Sequence, residues 1–166
     1  MKTYNITVFT ENNIGILNRI TIIFTRRHVN IESITASDCE EDGIYRYTIV
    51  AKITENQVIK IVNQIEKLVD VIKAFYYENK EVIYQELALF KVANSSFKNQ
   101  KINSLLKNND ARIISVDSGF VTLEKTGSSE EIKNLFTYLK PYGVLEYAKS
   151  GRVAVSKPMR NLKDFI

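Results

Sequence analysis

The chain has 166 residues, 45% hydrophobic and 25% charged, with a formal net charge of +4. That is a globular composition for one domain or two small ones, and no stretch approaches the roughly 20 uncharged apolar residues that span a bilayer. A single cysteine, Cys39, and a single histidine, His28, exclude an intramolecular disulfide, a thiolate metal site and the usual catalytic triads.

Tyr4–Thr10 (YNITVFT) is β-branched and aromatic and predicts a strand. Met1 to Thr10 has one lysine and no small-residue cleavage site, so it does not read as a secretory signal. A turn-rich loop, Glu11 to Gly15, leads into Ile16–Arg27, where Ile16, Leu17, Ile20, Ile23 and Phe24 recur at helical spacing. Asn30–Ser37 predicts a second strand, Asp38–Gly43 an acidic turn, and Ile44–Lys52 a third strand. Glu55–Leu68 predicts an amphipathic helix with Val58, Ile61, Val62, Ile65 and Leu68 on one stripe. Val69–Tyr77 predicts a fourth strand. The order is βαββαβ, the ferredoxin-like pattern.

The second half repeats that order without repeating the residues. Val82–Ala93 predicts a strand, Ser96–Asn108 a polar helix, and Ala111–Asp117 with Phe120–Lys125 a hairpin around Ser118-Gly119. Ser128–Leu139 predicts a helix capped by Ser128 or Ser129, with Glu130 and Glu131 suiting its dipole. Val144–Ala148 and Arg152–Ser156 predict the last strands. The short charged segment Tyr77–Glu81 reads as the linker. The expected fold is therefore α+β, two ferredoxin-like βαββαβ domains, residues 1–78 and 79–166.

Residues 1–80 carry ten basic and ten acidic side chains, whereas residues 81–166 carry 13 and nine. Much of the excess sits in Lys149, Arg152, Lys157, Arg160 and Lys163, opposed there only by Asp164. Such a tail reads as a solvated terminus or as a surface for an acidic partner. Its basic residues alternate with apolar ones and lack the aromatic interleaving of single-strand binders.

Catalytic equipment is sparse. Glu40, Glu41 and Asp42 read as a solvated turn, Cys39 has no base near it in sequence, and His28 reads as a helix C-terminal cap. There is no GxxxxGK and no GxGxxG. The best ligand-site candidate is Asn12, Asn13 and Gly15 opening into the first helix. Helix N-terminal amides take a carboxylate, and a glycine lets a ligand approach the backbone. Asn-Asn-x-Gly is equally a simple turn with an N-cap. Asn30 is a second candidate, with an αL turn as its structural alternative.

The run TENNIGILNRITIIFTRRHVNIESITAS resembles an ACT domain. More narrowly, it is similar to the small regulatory subunit of acetolactate synthase (acetohydroxyacid synthase). The carrying residues are Glu11-Asn12, Gly15, Leu17, Arg19 and Asn30-Ile31-Glu32-Ser33. Arg46 with Thr48-Ile49-Val50, Gln64 to Val71, Glu86 to Val92, and Glu146 to Ala154 extend the resemblance over nearly the whole chain. It implies a non-catalytic, cytoplasmic subunit of branched-chain amino acid biosynthesis. Such a subunit binds a branched-chain amino acid, usually valine, between the ACT domains of a homodimer. It activates a thiamine-diphosphate-dependent catalytic subunit and confers feedback inhibition.

Thiamine diphosphate, FAD and Mg are expected on that catalytic subunit, with no cofactor in this chain and no nucleic-acid or membrane partner. Residue by residue, the resemblance gives Asn12, Gly15, Ile16 and Leu17 to one side of the effector site, and Asn30 and Ile31 of the partner chain to the other. The second domain is expected to contact the catalytic subunit. Where the family has a glycine and an aromatic before Asn-Ile-Glu-Ser, this chain has His28 and Val29; if that position is left-handed, His28 occupies it under strain. Two other readings share the βαββαβ order: a stand-alone ACT sensor and an RRM-like nucleic-acid module. The RRM core motif is missing, although Tyr45 and Tyr47 lie on the third strand.

Overall fold

The computed structural model describes residues 1–98, 100–158 and 162–165, the side chains of Lys98 and Gln100 aside. The βαββαβ order occurs twice, as expected. The first block is β1 (Lys2–Glu11), α1 (Ile16–Arg26), β2 (Ser33–Asp38), β3 (Ile44–Ile53), α2 (Glu55–Ile65) and β4 (Val71–Glu78). The second is β5 (Val82–Ala93), α3 (Gln100–Asn108), β6 (Arg112–Val116), β7 (Phe120–Gly127), α4 (Ser129–Leu139) and β8 (Val144–Lys149), followed by β9 (Val153–Ser156). Each block forms an antiparallel sheet, in the orders β2-β3-β1-β4 and β6-β7-β5-β8, and β9 pairs with β5. Among the described residues no helix is long and apolar enough to cross a membrane.

Differences from the expected elements are local. β2 begins at Ser33 rather than Asn30, so Asn30–Glu32 join α1 to the sheet. α2 ends at Ile65, and Val69, expected in a strand, is fully outside it and 95% exposed. A 3-10 turn, Asn94–Lys98, precedes α3.

The chain divides into two compact units, but not at residue 78. Unit 1 comprises Met1–Tyr84 together with Gly151–Ile166, and unit 2 comprises Gln85–Ser150. The reason lies in β1, where every residue from Tyr4 to Thr10 is buried. A strand buried on both faces needs a layer on each. Tyr4, Ile6 and Val8 point into the core made with α1 and α2, among Ile20, Phe24, Ile61 and Ile65. The alternate residues Asn5, Thr7 and Phe9 point the other way. There Phe9, Phe75 and Tyr77 pack with Val82 and Leu162, so the C-terminal segment supplies the second layer. The basic tail is accordingly anchored at several points, although Lys149, Lys157 and Lys163 stay exposed. Arg152 is buried, Lys149 pairs with buried Glu86 at 2.7 Å, and Lys163 reaches Glu41 at 3.5 Å. Arg160 lies outside the described residues. Unit 2 has its own core, in which Phe90, Leu123, Ile132 and Leu135 are fully buried.

Two helix ends share one geometry. At the end of α1 the Val29 N–H donates to Phe24 O at 3.0 Å and the His28 N–H to Thr25 O at 3.0 Å. That 6→1 and 5→2 pair is a Schellman motif, which places its C′ residue in the left-handed region. His28 sits there with φ 52°, so it bears the strain expected of a non-glycine residue. At the end of α3 the Ala111 N–H donates to Leu106 O and the Asp110 N–H to Lys107 O, with Asp110 at φ 50°.

Candidate functional site

The loop between β1 and α1 is pinned from several sides. The Glu11 N–H donates to Asp70 O at 3.0 Å, and the Asn12 N–H to Gly43 O at 3.2 Å. The Asn13 side-chain amide donates to Glu11 Oε2 at 3.1 Å and to Asp70 Oδ1 at 2.8 Å. Arg19, on the first turn of α1, forms an ion pair with Asp70. Fixed this way, the loop reaches Gly15, the N-cap of α1, at φ +87°. A residue with a Cβ adopts that conformation only under strain.

A Cβ built on Gly15 would meet nothing within 4 Å. The glycine is thus required by its backbone angle, and the space above it is open. No side chain caps the helix. The first intrahelical bond runs from the Arg19 N–H to Gly15 O at 3.1 Å, and the Ile16 N–H already donates to Asn13 O at 3.3 Å. The Leu17 and Asn18 N–H groups precede that first bond and point out of the helix start. The macrodipole adds partial positive charge there.

The six candidate residues fall into two groups. Asn12, Gly15 and Leu17 are exposed on the β1–α1 loop and the first turn of α1. The Ile16 side chain is buried in the core, so only its backbone borders the loop surface. Asn30 is exposed and Ile31 half-buried on the far side of α1, just before β2. The 11-residue helix separates the groups by about 16 Å at 1.5 Å per residue. A free amino acid is much shorter than that, so one chain does not bring both groups onto one ligand.

Sequence reasoning missed the Asp70 contacts that hold the loop. It also missed a buried polar cluster on the other face of the same sheet. Arg152 there donates through Nη1 to Asn79 Oδ1 at 2.8 Å and Asn5 Oδ1 at 3.1 Å. Its guanidinium lies 3.9 Å from the Tyr84 ring centroid. The signal available was a glycine-arginine pair, Gly151-Arg152, between two strands. A cavity of about 280 Å³ also lies on that face, lined by Phe9, Arg46, Phe75, Tyr77 and Phe165 among others, away from the β1–α1 loop. Among the described residues no three His, Cys, Asp or Glu side chains are grouped to hold a metal ion. Cys39 Sγ lies against the carbonyls of Glu41 and Ile44, and Glu40 and Asp42 are exposed.

Comparison with known proteins gives this architecture relatives. Residues 6–73 match the family model described as AHAS small subunit-like ACT domain, and residues 85–158 the one described as small subunit of acetolactate synthase. The chain is 37% identical over 153 residues to the acetolactate synthase small subunit of Bacillus subtilis, covering 92% of this chain and 89% of that one. It is 32% identical over 160 residues to the corresponding protein of Mycolicibacterium smegmatis, covering 96% and 94%. The crystal structure of the acetolactate synthase small subunit from Thermotoga maritima superposes with a TM-score of 0.86 at 27% identity, covering 95% of this chain and 98% of that one. The chain belongs to the acetolactate synthase small-subunit family, with an ACT domain as its first βαββαβ block.

Proposed function

We propose that this chain is the non-catalytic regulatory subunit of acetolactate synthase. It binds a branched-chain amino acid, valine foremost, between the ACT domains of two copies. Through that site it governs a catalytic subunit that holds thiamine diphosphate, FAD and Mg. It raises the rate of that subunit and imposes feedback inhibition on branched-chain amino acid biosynthesis in the cytoplasm.

One observation carries the effector reading. The left-handed Gly15 opens an uncapped helix start, while Asn30 and Ile31 sit a helix length away. A site that uses both groups needs the second group from another chain. The chemistry then assembles from the residues. The Leu17 and Asn18 N–H groups and the α1 dipole suit the carboxylate. The carboxamide oxygens of Asn12 and of Asn30 from the second copy accept from the ammonium. Leu17 and Ile31 offer methyl groups to the branched side chain. Burying a few methyl groups at about 0.8 kcal/mol each adds only about 2–3 kcal/mol to the polar contacts, which fits micromolar rather than nanomolar binding.

The test is reconstitution. The purified catalytic subunit is assayed alone, with this chain, and with this chain plus valine, leucine or isoleucine. The reading predicts a higher rate on adding the chain and a fall on adding valine. An unchanged rate in both steps, with the two subunits co-eluting, contradicts it.

A further inference from the structure

The chain crosses between its two units twice, at Tyr84–Gln85 and at Ser150–Gly151. Both crossings meet unit 1 at one side chain. Arg152, 7% exposed, lies with its guanidinium 3.9 Å from the Tyr84 ring centroid. The same guanidinium bonds Asn79, and Asn5 in the middle of β1, which is fully buried. The Asn5 amide donates in turn to Asn79 Oδ1 at 3.0 Å. A buried cation without such partners is strongly disfavoured, so the cluster is fixed as a unit.

The cluster also touches the strand that follows the candidate effector residues. Thr35 Oγ1 donates to Arg152 O at 2.8 Å. At Gly151 a Cβ would fall 2.5 Å from Thr35 Oγ1 and 3.0 Å from Ile34 O, so the backbone there lies directly against β2. Ile34 is three residues from Ile31. The segment that carries Asn30 and Ile31 thus runs straight into the stretch of β2 that Gly151-Arg152 lies against, and the Arg152 guanidinium continues that contact to Tyr84.

We propose that Arg152 is a positioning residue that couples effector occupancy to the second unit, by holding both chain crossings against β2 and β1. The inference rests on the effector reading above, and the experiment separates the two. Wild type, Arg152→Lys and Tyr84→Leu are each compared for the valine-induced rise in melting temperature, for activation of the catalytic subunit, and for inhibition of the reconstituted complex by valine. Lysine keeps the charge and loses the planar fork. Leucine removes the ring and leaves the hydrogen bonds of Arg152, which keeps the test open if the lysine variant fails to fold.

The expected result is an unchanged melting shift and retained activation, with the valine concentration for half-inhibition raised about tenfold or more, a coupling loss of ordinary allosteric size. Inhibition midpoints that stay at the wild-type value in a folded variant overturn the inference. So do midpoints that move only in step with valine binding, because that is a damaged site rather than a lost coupling. Wild-type protein with neither melting shift nor inhibition overturns the effector reading and this inference with it.

Discussion

The two units run the same βαββαβ order with different loops and different second faces. In unit 1 the first strand-to-helix connection is a loop ending in left-handed Gly15, with open space above an uncapped helix. In unit 2 the equivalent connection starts as a 3-10 turn, Asn94–Lys98, with no glycine. The back of the first sheet is lined by Asn5, Thr7, Phe9 and Thr48 and overlaid by the C-terminal segment. The second sheet turns Leu87, 41% exposed, and the ion pairs Lys91–Glu146 and Arg112–Glu124 away from its helices. Shared topology thus says nothing about shared chemistry; the open, uncapped helix start behind a left-handed glycine belongs to unit 1 and has no counterpart in the Asn94–Lys98 turn.

The largest expected effect comes from removing the added layer. A chain ending at Ser150 uncovers Phe9, Phe75 and Tyr77 and leaves Asn5 without Arg152. Each such side chain contributes about 1.5–3 kcal/mol by burial, so a loss of about 4.5–9 kcal/mol is predicted for the three. Urea denaturation, with amide exchange at Thr7 and Thr48, measures it; full protection of those amides in the shortened chain would break the comparison.

Glycine substitutions are expected to split by unit. Gly151→Ala places a Cβ against Thr35 and the Ile34 carbonyl and should cost about 1–3 kcal/mol. Gly119→Ala, in the β6–β7 turn of unit 2, meets nothing within 4 Å and should change stability by less than about 0.5 kcal/mol. Equal unfolding midpoints for the two variants would contradict the close approach at Gly151.

A smaller effect tests what the units share. His28→Gly and Asp110→Gly each relieve a left-handed C′ position, against the greater chain entropy of glycine. Each should gain up to about 1 kcal/mol, seen as a raised melting temperature. Gain at one site only would separate two helix ends that the structure makes alike.

The smallest effect is a difference in acid. α2 and α4 both begin with a capping box, Thr54 with Gln57 and Ser128 with Glu131. Only the second box titrates. The Ser128 N–H and hydroxyl, each 2.7 Å from Glu131 Oε2, hold the Glu131 carboxyl below its usual range. A carboxyl lowered in the folded state stabilises above its unfolded pKa of 4.5 and loses that contribution as pH falls through the folded value. Amide exchange at Ser128 should therefore speed up below that window, over and above the intrinsic pH dependence, while exchange at Thr54 should follow the intrinsic dependence alone.

Element order was legible because apolar periodicity is local. Ile16, Ile20, Ile23 and Phe24 announce α1, and alternation announces β5, whose expected and observed bounds coincide at Val82–Ala93. The loop at Asn12–Gly15 was legible for the same reason, since an αL glycine before a helix is a local pattern. Ile16 enters the candidate site by family resemblance, while its place on the apolar stripe of α1 is what buries its side chain in the core. The division of the chain was not legible. Gly151 and Arg152 fold onto β1 and β2, more than 100 positions earlier, and only contact with Thr35 and Asn5 shows that an arginine in a basic tail is buried.

In the proposed assembly one effector site is built from two copies of the chain. Calorimetric titration of valine into Asn12→Ala, into Asn30→Ala, and into an equimolar exchanged mixture of the two tests it most directly. Each variant alone should lose binding. In the mixture, every mixed dimer joins an intact Asn12 to an intact Asn30 in one of its two sites, so about a quarter of the wild-type sites should return with wild-type affinity. Mixed dimers that form without recovering any site, or variants that bind valine as the wild type does, would contradict the claim.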